Sequence, residues 1–201
     1  QKAGIGRYDK PLICGQPNVS IGFLDHAPKI GENLIRSDEH YTIKPKPLGW
    51  TLNLDLESSD IDQSPSNKPS SYKMELPKGH IPFYNIASAI AGLASIDLLP
   101  DIDGIKRAID NTRVAGRLTH YSCSHQGKGI KFILDVAHNP QAAGFLASQL
   151  SGCTQAILAL LIDKDPIGII TSLDAINDWH LAGLAGYRGQ TVNQLNDSLA
   201  P

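Results

Sequence analysis

The chain reads as an α/β protein in two parts, and three observations predict that class. From about residue 114 onward, strand-like and helix-like segments alternate, the pattern of a largely parallel sheet covered by helices. Before that, HYTIK at 40–44, GWTLNLDL at 49–56 and YKMEL at 72–76 alternate apolar and polar side chains, which predicts strands with one wet face. With 201 residues and 41% hydrophobic content, the chain has enough apolar material to bury a sizeable core.

In chain order, PLIC at 11–14 follows a turn-forming YDKP and reads as a short buried strand, and HAPKIGENLI at 26–35 carries helix-like spacing. Together they look like the tail of an α/β unit. Residues 57–71, ESSDIDQSPSNKPSS, are rich in Ser, Pro and Asp and predict an exposed, mobile hairpin insertion without function of its own. The period then changes. FYNIASAIAGLASIDL places Ile86, Ile90, Leu93 and Ile96 at three- and four-residue steps, which predicts an amphipathic helix. DIDGIKRAIDN predicts a second helix, with Asp101 or Asp103 available to cap it. After a boundary near residue 112 come GRLTHYS, GIKFILDVA, NPQAAGFLASQL, TQAILALLI, PIGIITSLDAI, WHLAGL and TVNQLNDSL, alternately strand and helix. Residues 1–112 and 113–201 are therefore expected to form separate domains.

Charge excludes some function classes. Eighteen basic against twenty acidic residues give a formal −2, so no basic field is present to hold nucleic acid or an anionic membrane. Cys14, Cys123 and Cys153 are odd in number and lack metal-ligand spacing, as expected of reduced thiols in a cytoplasmic protein. No 18-residue apolar stretch occurs, and a monomer is expected.

One stretch carries chemistry. In ILDVAHNPQAAG, residues 133–144, an apolar run ends in Asp135, His138 and Asn139, just before a proline suited to the first turn of a helix. KFILDV reads as a buried strand, and ligands in open α/β sheets collect at carboxyl ends of strands. Singly, Asn139 reads as a helix cap, His138 as the partner of a carbonyl and Asp135 as the holder of a neighbouring loop. Together at a strand end they read as a site, because a carboxylate accepts hydroxyl protons and an imidazole carries or receives charge.

The ordered series YNIASAIAGL, AGRLTHY, ILDVAHNPQAA, LLIDKDP and GYRG, preceded by QKAGIGRYDKPLICGQP, resembles the second half of bacterial dihydrofolate synthase/folylpolyglutamate synthase, in the Mur ligase superfamily. The likeness runs from residue 1 to about 195. It departs from the family pattern at Gln1, where a Glu is usual, at Gly6, and at Leu118 in the GRF-type triplet. The resemblance implies the end of a Mur-ligase-type central ATPase domain followed by a Rossmann-like C-terminal ligase domain. It implies an ATP- and Mg2+-dependent amide ligase that adds L-glutamate to dihydropteroate or folate through an acyl phosphate. By the same resemblance, Asn85 contacts the nucleotide, Arg117 reaches its phosphates, Asp135 binds the nucleotide and His138 stands near the incoming glutamate. Lys2 matches a lysine that is carbamylated in related enzymes and then helps to hold the metal. Asp163, Lys164 and Asp165 match a D-K-D segment with a role in loop structure and domain contact, and Arg188 is a further strand-end basic group or a surface arginine.

No GxxxxGK[ST] phosphate loop occurs, although the family carries one in its first half. The sequence accordingly reads as a fragment with half of a nucleotide site, inactive on its own and short of its last strands. Two further readings stay open: a Mur-type peptidoglycan amino-acid ligase, and a non-catalytic nucleotide- or folate-binding remnant. An oxidoreductase of Rossmann type ranks behind them, since no GxGxxG follows any strand.

Overall fold

Backbone pairing divides the chain into two units, Gln1–Arg113 and Val114–Pro201, in a computed structural model that describes residues 5–16, 19, 21–25, 31, 33–56, 71–152 and 155–199. In the first unit β1 (Pro11–Cys14), half-buried throughout, and β2 (Asn33–Arg36) run parallel, with the short α1 (Ile21–Leu24) between them in sequence. The helix-like spacing of 26–35 is therefore overruled at its end: Asn33 to Ile35 are strand. Pairing with β1 and complete burial of Ile35 outweigh a local periodicity there. Residues 26–30 and 32 lie outside the described residues.

The three alternating segments form an antiparallel sheet, β3 (Tyr41–Lys46), β4 (Gly49–Asp55) and β5 (Ser71–Pro77), with β4 central. Period-two placement puts Trp50, Leu52 and Leu54 on one face, opposite Leu76, Met74 and Tyr72 of β5. That face is the core: Trp50, Leu52 and Leu54 are at most 1% exposed. On the other face Glu75 accepts from Thr51 Oγ1 at 2.9 Å and from Lys46 Nζ at 2.6 Å. The loop expected at 57–71 gives up Ser71 to β5, and 57–70 lie outside the described residues.

The helix α2 (Phe83–Ser95) lays Ile86, Ala87, Ile90, Ala91 and Ala94 against this core. Leu93 and Ile96, assigned by spacing to the same stripe, are exposed. The alanines take the inner face because they let the helix approach the sheet closely, and Ile96 already sits at the C-cap. Of the two capping candidates for α3 (Ile102–Asn111), Asp101 does the work, accepting from Gly104 N at 2.6 Å, while Ile105 and Ile109 turn inward. His40 is 6% exposed and its Nδ1 accepts from Arg36 N at 3.1 Å. Burial, then the charge of Arg36, hold its pKa below the usual histidine value.

In the second unit the elements are β6 (Thr119–His125), β7 (Lys128–Leu134), α4 (Pro140–Ala147), β8 (Gln155–Leu158), α5 (Pro166–Ser172), β9 (Asp178–Leu181) and α6 (Val192–Asp197). Two expectations are corrected here. KFILDV is not a buried parallel strand: β6 and β7 form an antiparallel hairpin, and every residue of β7 except Ile133 is exposed. The reason is the two-residue connection Gln126-Gly127, with φ of 51° and 75°, a left-handed pair that suits a tight hairpin and leaves no length for a parallel crossover. Nor do the described residues of this unit form one continuous parallel sheet, since its parallel pairing is confined to β8 and β9. Those strands pack with α4, α5 and α6 around Ala143, Leu158, Leu160, Ile169, Leu173, Ile176 and Leu195. The last helix starts from a capping box in which Thr191 and Gln194 satisfy each other's backbone amides. Among the described residues no helix is long and apolar enough to cross a membrane.

Candidate functional site

The register of the hairpin explains how the corner after β7 is built. Thr119 pairs with Leu134, so the residues just outside the ladder, Leu118 and Asp135, meet although 17 positions separate them. Asp135 Oδ2 accepts from Leu118 N at 2.8 Å, Oδ1 accepts from Ala137 N at 2.7 Å, and Arg117 Nη1 stands 3.6 Å from Oδ1. A main-chain bond from Val136 N to Gly116 O at 2.8 Å closes the same junction. The Asp135 side chain is only 9% exposed, and that of Arg117 is 33% exposed. Leu118 is held at φ 45°, a left-handed conformation that costs a leucine free energy unless its surroundings impose it. The bond to Asp135 helps to impose it, together with those from Gly116 N to Thr119 Oγ1 and from Arg117 N to Val114 O.

Each of the three corner residues thus has a local structural task. Asp135 fixes the 116–118 turn, His138 Nδ1 lies 3.1 Å from Val136 O, and Asn139 caps α4 by accepting from Ala142 N at 2.8 Å. The tasks leave chemical capacity over. A carboxylate with two amide donors has unused lone pairs, and an imidazole whose Nδ1–H faces a carbonyl presents Nε2 as an acceptor to solvent. Arg117 contacts Asp135 at long range rather than as a bidentate fork, which leaves guanidinium donors for an anion.

A second corner lies beside the first. Asp165 caps α5 by accepting from Gly168 N at 2.9 Å. A methyl group at Gly168 would stand 2.6 Å from Pro140 Cγ and would also strike the capping carboxylate of Asp165, so the starts of α4 and α5 are in close contact. Gly168→Ala is accordingly expected to lower the unfolding free energy of this unit by about 2 kcal/mol through overpacking. Urea denaturation with an unchanged midpoint would show that the crowding relaxes freely. Beyond the D-K-D loop, Arg188 donates from Nη2 to Asp163 at 2.7 and 2.6 Å and from Nε at 3.2 Å, and Lys164 Nζ lies 3.1 Å from Asp163. These bonds, that of Arg188 first, hold the Asp163 carboxyl at about 2, so the pair is complete above the ordinary aspartate range and is released only as pH falls through about 2.

The structure thereby brings Arg117, Asp135 and His138 together at one corner, with Asp163 and Arg188 in the neighbouring loops of the same unit. Asn85 belongs to the first unit, exposed in the first turn of α2, with its backbone amide donating to Pro82 O at 2.9 Å. Lys2 lies outside the described residues. Among the described residues, no group of three or more His, Cys, Asp or Glu side chains converges to hold a metal ion. Sequence reasoning missed the Arg117–Asp135 and Asp163–Arg188 pairings, neither of which leaves a local signal, and the role of Gly168.

No protein-family model matches the chain. The dihydrofolate synthase/folylpolyglutamate synthase of Escherichia coli K12 is 31% identical over 205 residues, which are 99% of this chain and 44% of that protein. A crystal structure of bifunctional folylpolyglutamate synthase/dihydrofolate synthase with Mn, AMPPNP and L-glutamate bound superposes with a TM-score of 0.73 at 30% identity, covering 99% of this chain and 45% of the other. E. coli FolC in complex with DHPP and ADP gives a TM-score of 0.74 at 30% identity over 98% of this chain and 45% of that one. The chain spans slightly less than half the length of these relatives. Over nearly all of its residues, this α/β chain is homologous to the C-terminal half of the dihydrofolate synthase/folylpolyglutamate synthases, proteins of Mur ligase type.

Proposed function

We propose that the chain supplies the C-terminal share of an ATP-dependent ligase that joins L-glutamate to dihydropteroate or a folate. The observation that carries this reading is the corner at the end of β7, where a partly exposed arginine is braced by a nearly buried carboxylate, in a chain homologous to proteins solved with a nucleotide and glutamate. In the reaction, the substrate carboxylate takes the terminal phosphoryl group of ATP and ADP leaves. The amine of glutamate then attacks the acyl carbon, phosphate departs, and the amine loses its proton. Arg117 would meet the charge that develops on the transferring phosphoryl group, where a fork of fixed donors acts without reorganisation. Asn85 and Asp135 would hold the nucleotide through amide and carboxylate hydrogen bonds. His138, exposed after the turn that Asp135 pins, would face the glutamate amine with Nε2. Lys2, if carbamylated, would help to hold Mg2+, which when bound supplies charge neutralisation at the phosphates.

The test joins the chain to the N-terminal half of the E. coli relative and follows ATP-dependent incorporation of labelled L-glutamate into dihydropteroate. The fusion is expected to ligate, and Arg117→Ala to lower kcat/KM by about a hundredfold with an unchanged melting temperature. ADP binding by the chain alone is a second readout, weakened by the same substitution. A silent fusion together with ADP binding indifferent to Arg117 would make the chain a non-ligating remnant.

A further inference from the structure

Resting on that reading, we propose that Arg188, aimed by Asp163, binds a carboxylate of the amino-acid substrate at the carboxyl edge of β8 and β9. These two strands are parallel, so the loops that follow them, residues 159–165 and 182–191, leave the same edge, the place where open α/β sheets collect ligands. The loops are tied together by more than an ion pair. Ile162 N donates to Arg188 O at 3.0 Å, and Leu184 N donates to Gln190 O at 2.9 Å. Gln190, only 6% exposed, donates from Nε2 to Leu160 O at 3.0 Å. A surface salt bridge needs no such frame; a group that must present a fixed geometry to a ligand does.

The guanidinium spends Nε and Nη2 on Asp163 and keeps Nη1 free, with half of its side chain exposed. Asp163 stands between Lys164 and Arg188, while the carboxylate of Asp165 is taken by the α5 cap. Lys164 and Arg188 balance the charges of Asp163 and Asp165 at this edge, and the planar, oriented guanidinium of Arg188 keeps Nη1 as a donor suited to a carboxylate oxygen. Its position suits the amino acid, because the α5 start that follows Asp163 touches Pro140, two residues after His138. Asp163 acts as a positioning residue here and Arg188 as the contact.

The experiment titrates the 201-residue chain with L-glutamate, with ADP and with inorganic phosphate, each followed by NMR, for wild type and for Arg188→Ala, Arg188→Lys and Asp163→Asn. Wild type is expected to saturate with L-glutamate; Arg188→Ala should weaken that binding by at least about tenfold, with Arg188→Lys and Asp163→Asn in between and ADP affinity unchanged in all. The two milder variants keep the test decisive should the alanine variant fail to fold. Wild type that ignores L-glutamate, Arg188→Ala within twofold of wild type, or phosphate binding as tightly as glutamate at the same residues would each overturn the assignment. Arg117-dependent ADP binding with no effect of Arg188 would remove this site and leave the ligase reading standing. Arg188-dependent glutamate binding beside a silent fusion would do the opposite.

Discussion

Asp135→Ala is expected to lower the unfolding free energy of the second unit by about 3 kcal/mol, because it strips two amide donors of a charged acceptor in a nearly dry setting. Leu118 N and Ala137 N lose their partner at once, and the left-handed Leu118 loses one of the bonds that maintain it. Arg117 should then lose its fixed direction, so that nucleotide affinity falls along with stability. Asp135→Asn separates the effects: its amide keeps one acceptor oxygen, so roughly half of the stability should return while the attraction for Arg117 does not. Hydrogen exchange at the amides of Leu118 and Ala137 gives a direct reading. Unchanged protection in Asp135→Ala, with an unchanged melting temperature, would mean that the carboxylate is idle in the fold.

The larger loss is expected at Trp50. Its ring is 1% exposed, its Nε1 donates to Pro77 O at 2.9 Å, and Phe83 lies 6.0 Å away centroid to centroid. Trp50→Ala should cost roughly 3–5 kcal/mol through lost burial and the cavity left behind. A single domain holds only about 5–15 kcal/mol in all, so the first unit should lose a large share of its stability. Trp50→Phe keeps most of the apolar volume and removes the indole donor to the Pro77 carbonyl, placing it between the two. Urea titration of the three proteins should rank them in that order. A loss under about 1 kcal/mol for the alanine variant would show that the sheet and α2 collapse into the space.

Local rules read well wherever local physics decides. The alternation of β3 to β5, the 3.6-residue period of α2 and the caps at Asp101 and Asn139 are visible in the sequence, the first cap as one of two candidates, since each depends on residues within a turn of one another. KFILDV misleads because a short apolar run such as Phe132–Leu134 is equally consistent with a buried parallel strand and with an exposed ribbon. The Gln126-Gly127 pair that decides between them lies outside the run. Asp135, His138 and Asn139 are legible as a corner, since all three fall within five positions. Their partners are not: Arg117 reaches Asp135 only through the hairpin register, and Arg188 reaches Asp163 across 25 residues through parallel pairing.

The tightness of the Gln126-Gly127 turn has a consequence for the order in which this unit assembles. A two-residue connection closes with little loss of chain entropy, and hairpins of this kind form in about 1–10 μs, whereas β8 and β9 can pair only after the intervening α5 has folded back. Closing the ribbon brings Leu118 beside Asp135 with no help from the parallel strands. The arginine-bearing corner is thus an early product of the folding pathway, already shaped when the slower, nonlocal half of the unit arrives to join it.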